Sequence, residues 1–207
     1  MSLRLEPRSR RSRPAVPLPH IDPIVPVSRA DPFDDPASVF EPKYHGLRAL
    51  AYLTPHGCVL RSRRHLAYDQ FDSLRLALRE QVECRDAVLD GEIVALDRQG
   101  RPDVRELGRA GAALAYAVFD ILWLDGEDLR DLPLSDRKRR LDIAVPANTA
   151  HAMKVLSIAG DGMALFRATQ RLDLAGIVAK RLADPYGPDT VWQVVPNPQY
   201  SQRARTP

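Results

Sequence analysis

Apolar residues along this chain recur at two different periods, and the switches between them mark out its elements. From Phe71 to Val82 the apolar positions Phe71, Leu74, Leu78 and Val82 are three and four residues apart. That spacing predicts an amphipathic helix, with Asp69 or Asp72 near its start. A second helix is predicted over Gly162 to Leu172, with Met163, Phe166 and Leu172 facing inward, and a short charged helix capped by Ser135 runs through Ile143. Elsewhere the apolar runs are short and bounded by turn residues, as strands are. Ala49 to Leu53 and Cys58 to Arg61 flank the turn Pro55-His56-Gly57; Ala87 to Leu96 ends at Asp97-Arg98-Gln99-Gly100; Leu114 to Leu124 closes on Asp125-Gly126, a hairpin signal. Lys154 to Ile158, Ile177 to Ala179 and Val191 to Val195 complete the predicted strands, with loops at Pro32 to Pro36 and Asp184 to Asp189. Strands mostly follow strands, so the pattern predicts an α+β fold with antiparallel sheets, organised from about Val39 onward.

Composition narrows the classes. At 207 residues and 44% hydrophobic content the chain can build one good core. It has no apolar run approaching the ~20 residues of a membrane span, and its start lacks the apolar stretch of a secretory signal. Cys58 and Cys84 are too few for a disulfide framework, and the five histidines show no ligand spacing along the sequence, so no metal site is expected from them. A cytoplasmic, membrane-free location follows as an expectation. The net charge of +3 is concentrated at the start, where Arg4, Arg8, Arg10, Arg11 and Arg13 oppose only Glu6. Prolines at 14, 17, 19, 23 and 26 follow. Residues 1–30 therefore read as a basic, proline-rich mobile arm, suited either to nucleic-acid phosphates or to solubility alone. Residues 31–202 read as the folded domain and 203–207 as a short basic tail.

Candidate chemistry centres on Glu41-Pro42-Lys43-Tyr44-His45-Gly46-Leu47-Arg48. A lysine beside a glycine turn, with an arginine two residues beyond the glycine, suits a covalent nucleotidyl carrier, whose amine must lose its proton to attack phosphorus. Gly46 would admit a close backbone approach to a ligand, and Arg48 would share its strand face.

The stretch resembles the Lys-x-Asp-Gly-x-Arg motif of the ATP-dependent DNA ligase family. Further matches follow in the family's order: Leu60 to Arg63, Leu89-Asp90-Gly91-Glu92-Ile93-Val94, Phe119-Asp120-Ile121-Leu122, Gly176-Ile177-Val178-Ala179-Lys180-Arg181, and Trp192 through Gln202. Six weak motifs in order make a specific resemblance. It implies two packed, mainly antiparallel sheets with flanking helices, the ligase-type nucleotidyltransferase (ATP-grasp-like) domain. It also implies ATP with Mg2+, nicked or broken DNA as the nucleic-acid partner, and a protein partner supplying a DNA-binding domain, since the family's oligonucleotide-binding barrel has no room before the end of this sequence. By resemblance Lys43 is the catalytic nucleophile that takes AMP, Glu41 meets the adenine amino edge, Arg48 and Glu92 hold the ribose hydroxyls, Arg63 meets phosphate and Phe119 stacks on the base. Lys180 is a further nucleotide-binding residue. Phe119, between Val118 and Asp120-Ile121, also suits a plain core position, and Asp90 and Asp120 read as hydrogen-bond partners.

The sequence departs from the family at four places. His45 stands for Asp, Ala175 for Glu, and Val194 and Pro196 for two lysines. Lost charge partners in nucleotidyl transfer commonly cost about two powers of ten each. An impaired adenylyltransferase is therefore one expectation, and a catalytically silent nucleotide- or DNA-binding protein is the other. The RNA ligase or capping-enzyme branch is a third relation of the same motifs.

Overall fold

A computed structural model describes residues 17–147 and 149–203. In chain order the strands are β1 (Val27–Ser28), β2 (Asp35–Pro42), β3 (Leu47–Thr54), β4 (Gly57–Arg61), β5 (Ala87–Leu96), β6 (Ala113–Leu124), β7 (Glu127–Asp128), β8 (Ala152–Lys154), β9 (Ile158–Gly160), β10 (Gly176–Arg181) and β11 (Gln193–Pro196). The helices are α1 (Asp72–Gln81), α2 (Leu134–Ala144) and α3 (Gly162–Arg171). One sheet runs β1-β11-β10-β2-β9; the other runs β4-β3-β5-β6-β7, with β8 alongside β6. The pairings are antiparallel except β1 with β11 and β6 with β8. This is the expected α+β architecture of two mainly antiparallel sheets with flanking helices.

Alternation explains the layering. On β3 and β5 the residues Ala49, Ala51, Leu53, Ala87, Leu89 and Ile93 point to the outer core shared with Leu74 and Leu78 of α1 and Leu141 and Ala144 of α2. Their neighbours Leu50 and Val88 point the other way, into a cluster with Trp192, Tyr186 and Ile24. On the opposite sheet Ile177, Ala179 and Val195 pack under Leu165 and Phe166 of α3, whereas Val178 faces the inner cluster. Each sheet thus carries helices on its outer face and offers its inner face to the other. Strands covered on both faces read as nearly continuous apolar runs, and these do.

Several expected details differ. The helix attributed to a Ser135 cap starts at Leu134 after Pro133, and Asp136 N–H donates to the Pro133 carbonyl at 3.0 Å. Pro133 has no N–H to satisfy and suits a helix start. On α3 the inward residues are Leu165, Phe166 and Thr169, while Leu172 and Met163 are exposed. The strand expected over residues 154–158 is two, β8 and β9, because the chain leaves one sheet there and joins the other. The loop expected through Pro36 already belongs to β2 from Asp35, so the domain is organised ahead of Val39. The arm expected over residues 1–30 falls largely on 1–16, which lie outside the described residues, as do 204–207 of the tail. Its end is docked: Ile21 and Ile24 are buried, and Val27 N–H donates to the Trp192 carbonyl at 2.9 Å. Two isoleucines among the prolines supply enough apolar surface to hold it. No helix among the described residues is long and apolar enough to cross a membrane.

Candidate active-site cleft

A cleft of about 580 Å³ opens between the two inner sheet faces. All seven residues singled out in the sequence line it: Glu41, Lys43, Arg48, Arg63, Glu92, Phe119 and Lys180. Of the four departures, His45 and Val194 line it and Ala175 and Pro196 do not. The register accounts for this. Glu41, Val178 and Val194 form one row across β2, β10 and β11. Two positions on, Gly176 pairs with Pro196, and Lys43 N–H donates to the Gly176 carbonyl at 2.8 Å. Pro196 therefore lies across Gly176 from Lys43, and Ala175 is the residue before that glycine.

Lys43 leaves the end of β2 half-buried, its Nζ 3.3 Å from the Tyr44 carbonyl. Gly46 makes a close approach within the protein. A Cβ there would sit 2.1 Å from the Ile93 carbonyl oxygen, and its N–H donates to Glu92 Oε1 at 3.0 Å. The glycine thus packs closely on β5 while also lining the cleft. Burial raises the pKa of Glu92, against the opposing pull of Lys43, Arg48 and the Gly46 N–H. His45 packs edge-on to Tyr200, with ring centroids 5.7 Å apart. Burial and the neighbouring Lys43 both lower the pKa of His45, which favours a neutral imidazole.

Phe119 reaches the cleft through a bulge. Asp90 pairs with Asp120 and Gly91 with Val118, so Phe119 is an extra residue on β6. A bulge of this kind redirects a side chain. Arg48 Cζ lies 4.6 Å and Lys180 Nζ 4.2 Å from its ring centroid, and Lys180 also lies 4.0 Å from the Trp192 ring. Arg48 is committed to Asp90 through two bonds of 2.6 Å, and Tyr186 Oη donates to the same carboxylate at 2.6 Å. Burial works against the Arg48 charge, but Asp90 more than offsets it and holds its pKa above the usual range.

Glu41, only 2% exposed, meets both Lys138 of α2 and Lys180, the latter at 2.7 Å, and accepts from Ser157 Oγ at 2.9 Å. Burial alone would raise its pKa; the two lysines lower it. Lys138 and Tyr186 escaped the sequence reading, whereas Asp90, read there as a hydrogen-bond partner, is one. For Lys138 a signal existed: Leu134, Arg137, Lys138 and Leu141 recur at three- and four-residue spacing, which puts the lysine on the inward face of α2.

With one carboxylate shared between two lysines, burial wins at Lys180 and lowers its pKa from 10.5 to about 8. The unfolded chain therefore binds the extra proton between about pH 8 and 10.5, and stability from this group rises with pH across that window and is lowest below it. Lys180→Met should thus gain roughly 1 to 3 kcal/mol at pH 7. That advantage should vanish by about pH 10.5. Urea titrations of both proteins at pH 7 and pH 10 read the effect, and a loss of stability at pH 7 would refute it.

The histidines also differ from expectation. His20 and His65, far apart in sequence, stack with ring centroids 3.8 Å apart beside Asp22.

A two-sheet α+β domain with a lysine-bearing cleft is the architecture of the covalent nucleotidyltransferases. Residues 27–193 match the family described as ATP dependent DNA ligase domain, and the chain belongs to that family. It is 33% identical over 153 residues to the multifunctional non-homologous end joining DNA repair protein LigD of Mycobacterium tuberculosis, covering 72% of this chain and 20% of that protein. It is 36% identical over 104 residues to the Pseudomonas aeruginosa LigD, covering 47% of this chain and 12% of that protein. The chain thus spans a fifth or less of the length of these relatives. Among solved structures, the mycobacterial DNA ligase D complexed with ATP and MES superposes with a TM-score of 0.71 at 26% identity, covering 84% of this chain and 60% of that one. The Chlorella virus DNA ligase-adenylate shares the fold, with a TM-score of 0.52 at 13% identity.

Proposed function

We propose that this domain binds ATP in the cleft and carries AMP on Lys43, for transfer to a DNA 5′-phosphate, at a rate lowered by His45, Ala175, Val194 and Pro196. The convergence of Lys43, Arg48, Arg63, Glu92 and Phe119 on one cleft is the observation that carries this reading. A neutral Lys43 amine attacks the α-phosphorus, the bond to the β-phosphate oxygen breaks, pyrophosphate leaves, and the amine gives up a proton. In the second transfer a 5′-phosphate oxygen attacks the same phosphorus and Lys43 departs, regaining a proton. Splitting one difficult activation into two transfers is what a covalent lysine supplies. Arg63, at the exposed rim, meets the phosphates, Glu92 accepts from the ribose, and Phe119 stacks on the base once Arg48 or Lys180 yields part of its face. Glu41 and Lys180 border the base edge.

The residues present do not fit a protein-held Mg2+. That ion takes hard, charged oxygens. The lining carboxylates are Glu41, held by two lysines, and Glu92, whose burial favours the neutral acid. No step above is routed through a metal.

Incubation with α-labelled ATP, followed by intact-protein mass spectrometry, tests the proposal. A slow covalent adduct is expected, and it should be absent in Lys43→Ala. Fast stoichiometric labelling would refute the impairment, and an adduct persisting in Lys43→Ala would remove the site. A second reading, nucleotide binding without transfer, is favoured by Arg48, Glu92 and Phe119 lining the cleft while His45, Ala175, Val194 and Pro196 replace charged groups of the motifs. ATP binding with no adduct after prolonged incubation would select it. DNA and any partner protein enter through the relatives' end-joining role and remain part of the proposal.

A further inference from the structure

We propose that His20, Asp22 and His65 form a surface site for a late first-row divalent cation such as Zn2+, which ties the N-terminal segment to the loop bearing Arg63 and Arg64. The three side chains each offer a ligand atom, and all of these atoms lie within 4.8 Å of one another. His65 Nε2 is 2.8 Å and His20 Nε2 4.0 Å from Asp22 Oδ1. Bonds of about 2.0–2.1 Å to a tetrahedral ion place neighbouring ligand atoms about 3.3–3.4 Å apart. The two separations straddle that value, and His20 and Asp22 are exposed enough to adjust.

Both halves of the site are held before any ion arrives. Ile21 is buried, so in extended chain its neighbours His20 and Asp22 project together on the opposite side. His65 sits in a loop closed on Ser62: His65 N–H donates to the Ser62 carbonyl at 2.9 Å, and Leu66 N–H donates to Ser62 Oγ at 3.1 Å. Arg61 Nη1 fixes the His65 carbonyl at 3.0 Å. His65 has a left-handed backbone, φ 60°. A non-glycine residue there has a backbone cost that this hydrogen-bonded loop must offset.

The donor set defines the ion. Two imidazoles and one carboxylate suit Zn2+ and its neighbours, whereas Mg2+ and Ca2+ prefer all-oxygen shells. Three protein ligands leave a fourth position for water. Ser62, Arg63 and Arg64 line the cleft, so the ion would steady the arginines at its rim.

Titration of the chelator-treated full chain with Zn2+ by calorimetry tests the site. One equivalent should bind at pH 7.5. Affinity should fall at least ~10-fold in His20→Ala and in Asp22→Ala. His65→Asn should act alike; Asn is chosen because it tolerates the left-handed backbone better than Ala. In the parent alone, Zn2+ should slow amide exchange over residues 62–66. No stoichiometric binding below about 100 µM, or full binding by the folded His20→Ala/Asp22→Ala double variant, would overturn the site. Full binding with unchanged exchange over residues 62–66 would overturn its link to the loop.

Discussion

Asp120→Ala is expected to lower the unfolding free energy by about 3 to 5 kcal/mol, because it strands a buried guanidinium. Asp120 and Arg137 are both 0% exposed and joined by two bonds of 2.9 Å. Arg137 also donates to the carbonyls of Leu132 and Asp184 at 2.6 and 3.0 Å. The pair therefore joins β6 to α2 and to the loop that carries Tyr186. Since Tyr186 donates to the Asp90 that holds Arg48, loosening this loop should also reach the cleft. The double replacement Asp120→Leu/Arg137→Leu should cost far less than the single change, since it leaves no unpaired charge buried. Urea midpoints of the three proteins decide the matter. A single variant within 1 kcal/mol of the parent would mean that Arg137 finds water or another partner.

The strands buried on both faces were the most legible elements. Ala87–Leu96 was predicted with its observed ends because its apolar run is long and Asp97-Arg98-Gln99-Gly100 closes it. β2 was hidden because its first half, Asp35-Pro36-Ala37-Ser38, is turn-like; Asp35 in fact accepts from Ala37 N–H and Ser38 Oγ at the strand's start. β8 and β9 merged in the sequence because a change of sheet leaves no trace in a run of side chains. On α3, three- and four-residue spacing allowed more than one inward face, and the close seat of Gly162 against the Phe33 carbonyl and the Phe40 ring is a tertiary fact that turns Leu165 and Phe166 inward.

The candidate site was legible in its motifs and illegible in its charge balance. Lys43, Glu92 and Phe119 are local words in the sequence. The partner of Arg48 is 42 residues away, and the second lysine on Glu41 is 97 residues away. Each of those pairings depends on strand register and on which face of α2 turns inward. The bulge that aims Phe119 is equally silent, since it appears only as a slip between two long strands. His20 and His65 meet because the N-terminal segment crosses the loop after β4, which no spacing rule encodes.

Restoring the four missing side chains should raise Lys43 adenylation by about 100-fold or more, and the combination should exceed the product of the single effects. The register gives the reason for the coupling. Val194 shares a row with Glu41 and Val178, and Pro196 pairs with Gly176, whose carbonyl holds Lys43 N–H. Val194→Lys adds a cation inside the cleft without needing any other change, so alone it should tighten ATP binding more than it speeds transfer. Pro196→Lys adds a second cation opposite Gly176 and restores a backbone donor that proline lacks. His45→Asp replaces a group whose burial and lysine neighbour favour neutrality with the carboxylate that the motif carries at this position. Ala175→Glu alone places a carboxylate near the incoming phosphates and should weaken ATP binding unless divalent metal is supplied; in the quadruple variant the two new lysines offset that repulsion. The measurement is the single-turnover rate of adduct formation at saturating ATP and metal, for the parent, each single variant and the quadruple. A folded quadruple variant that binds ATP yet labels Lys43 no faster than the parent would mean that these four positions do not set the rate. The cations over Phe119, the proposed base platform, would then be the next cause to remove.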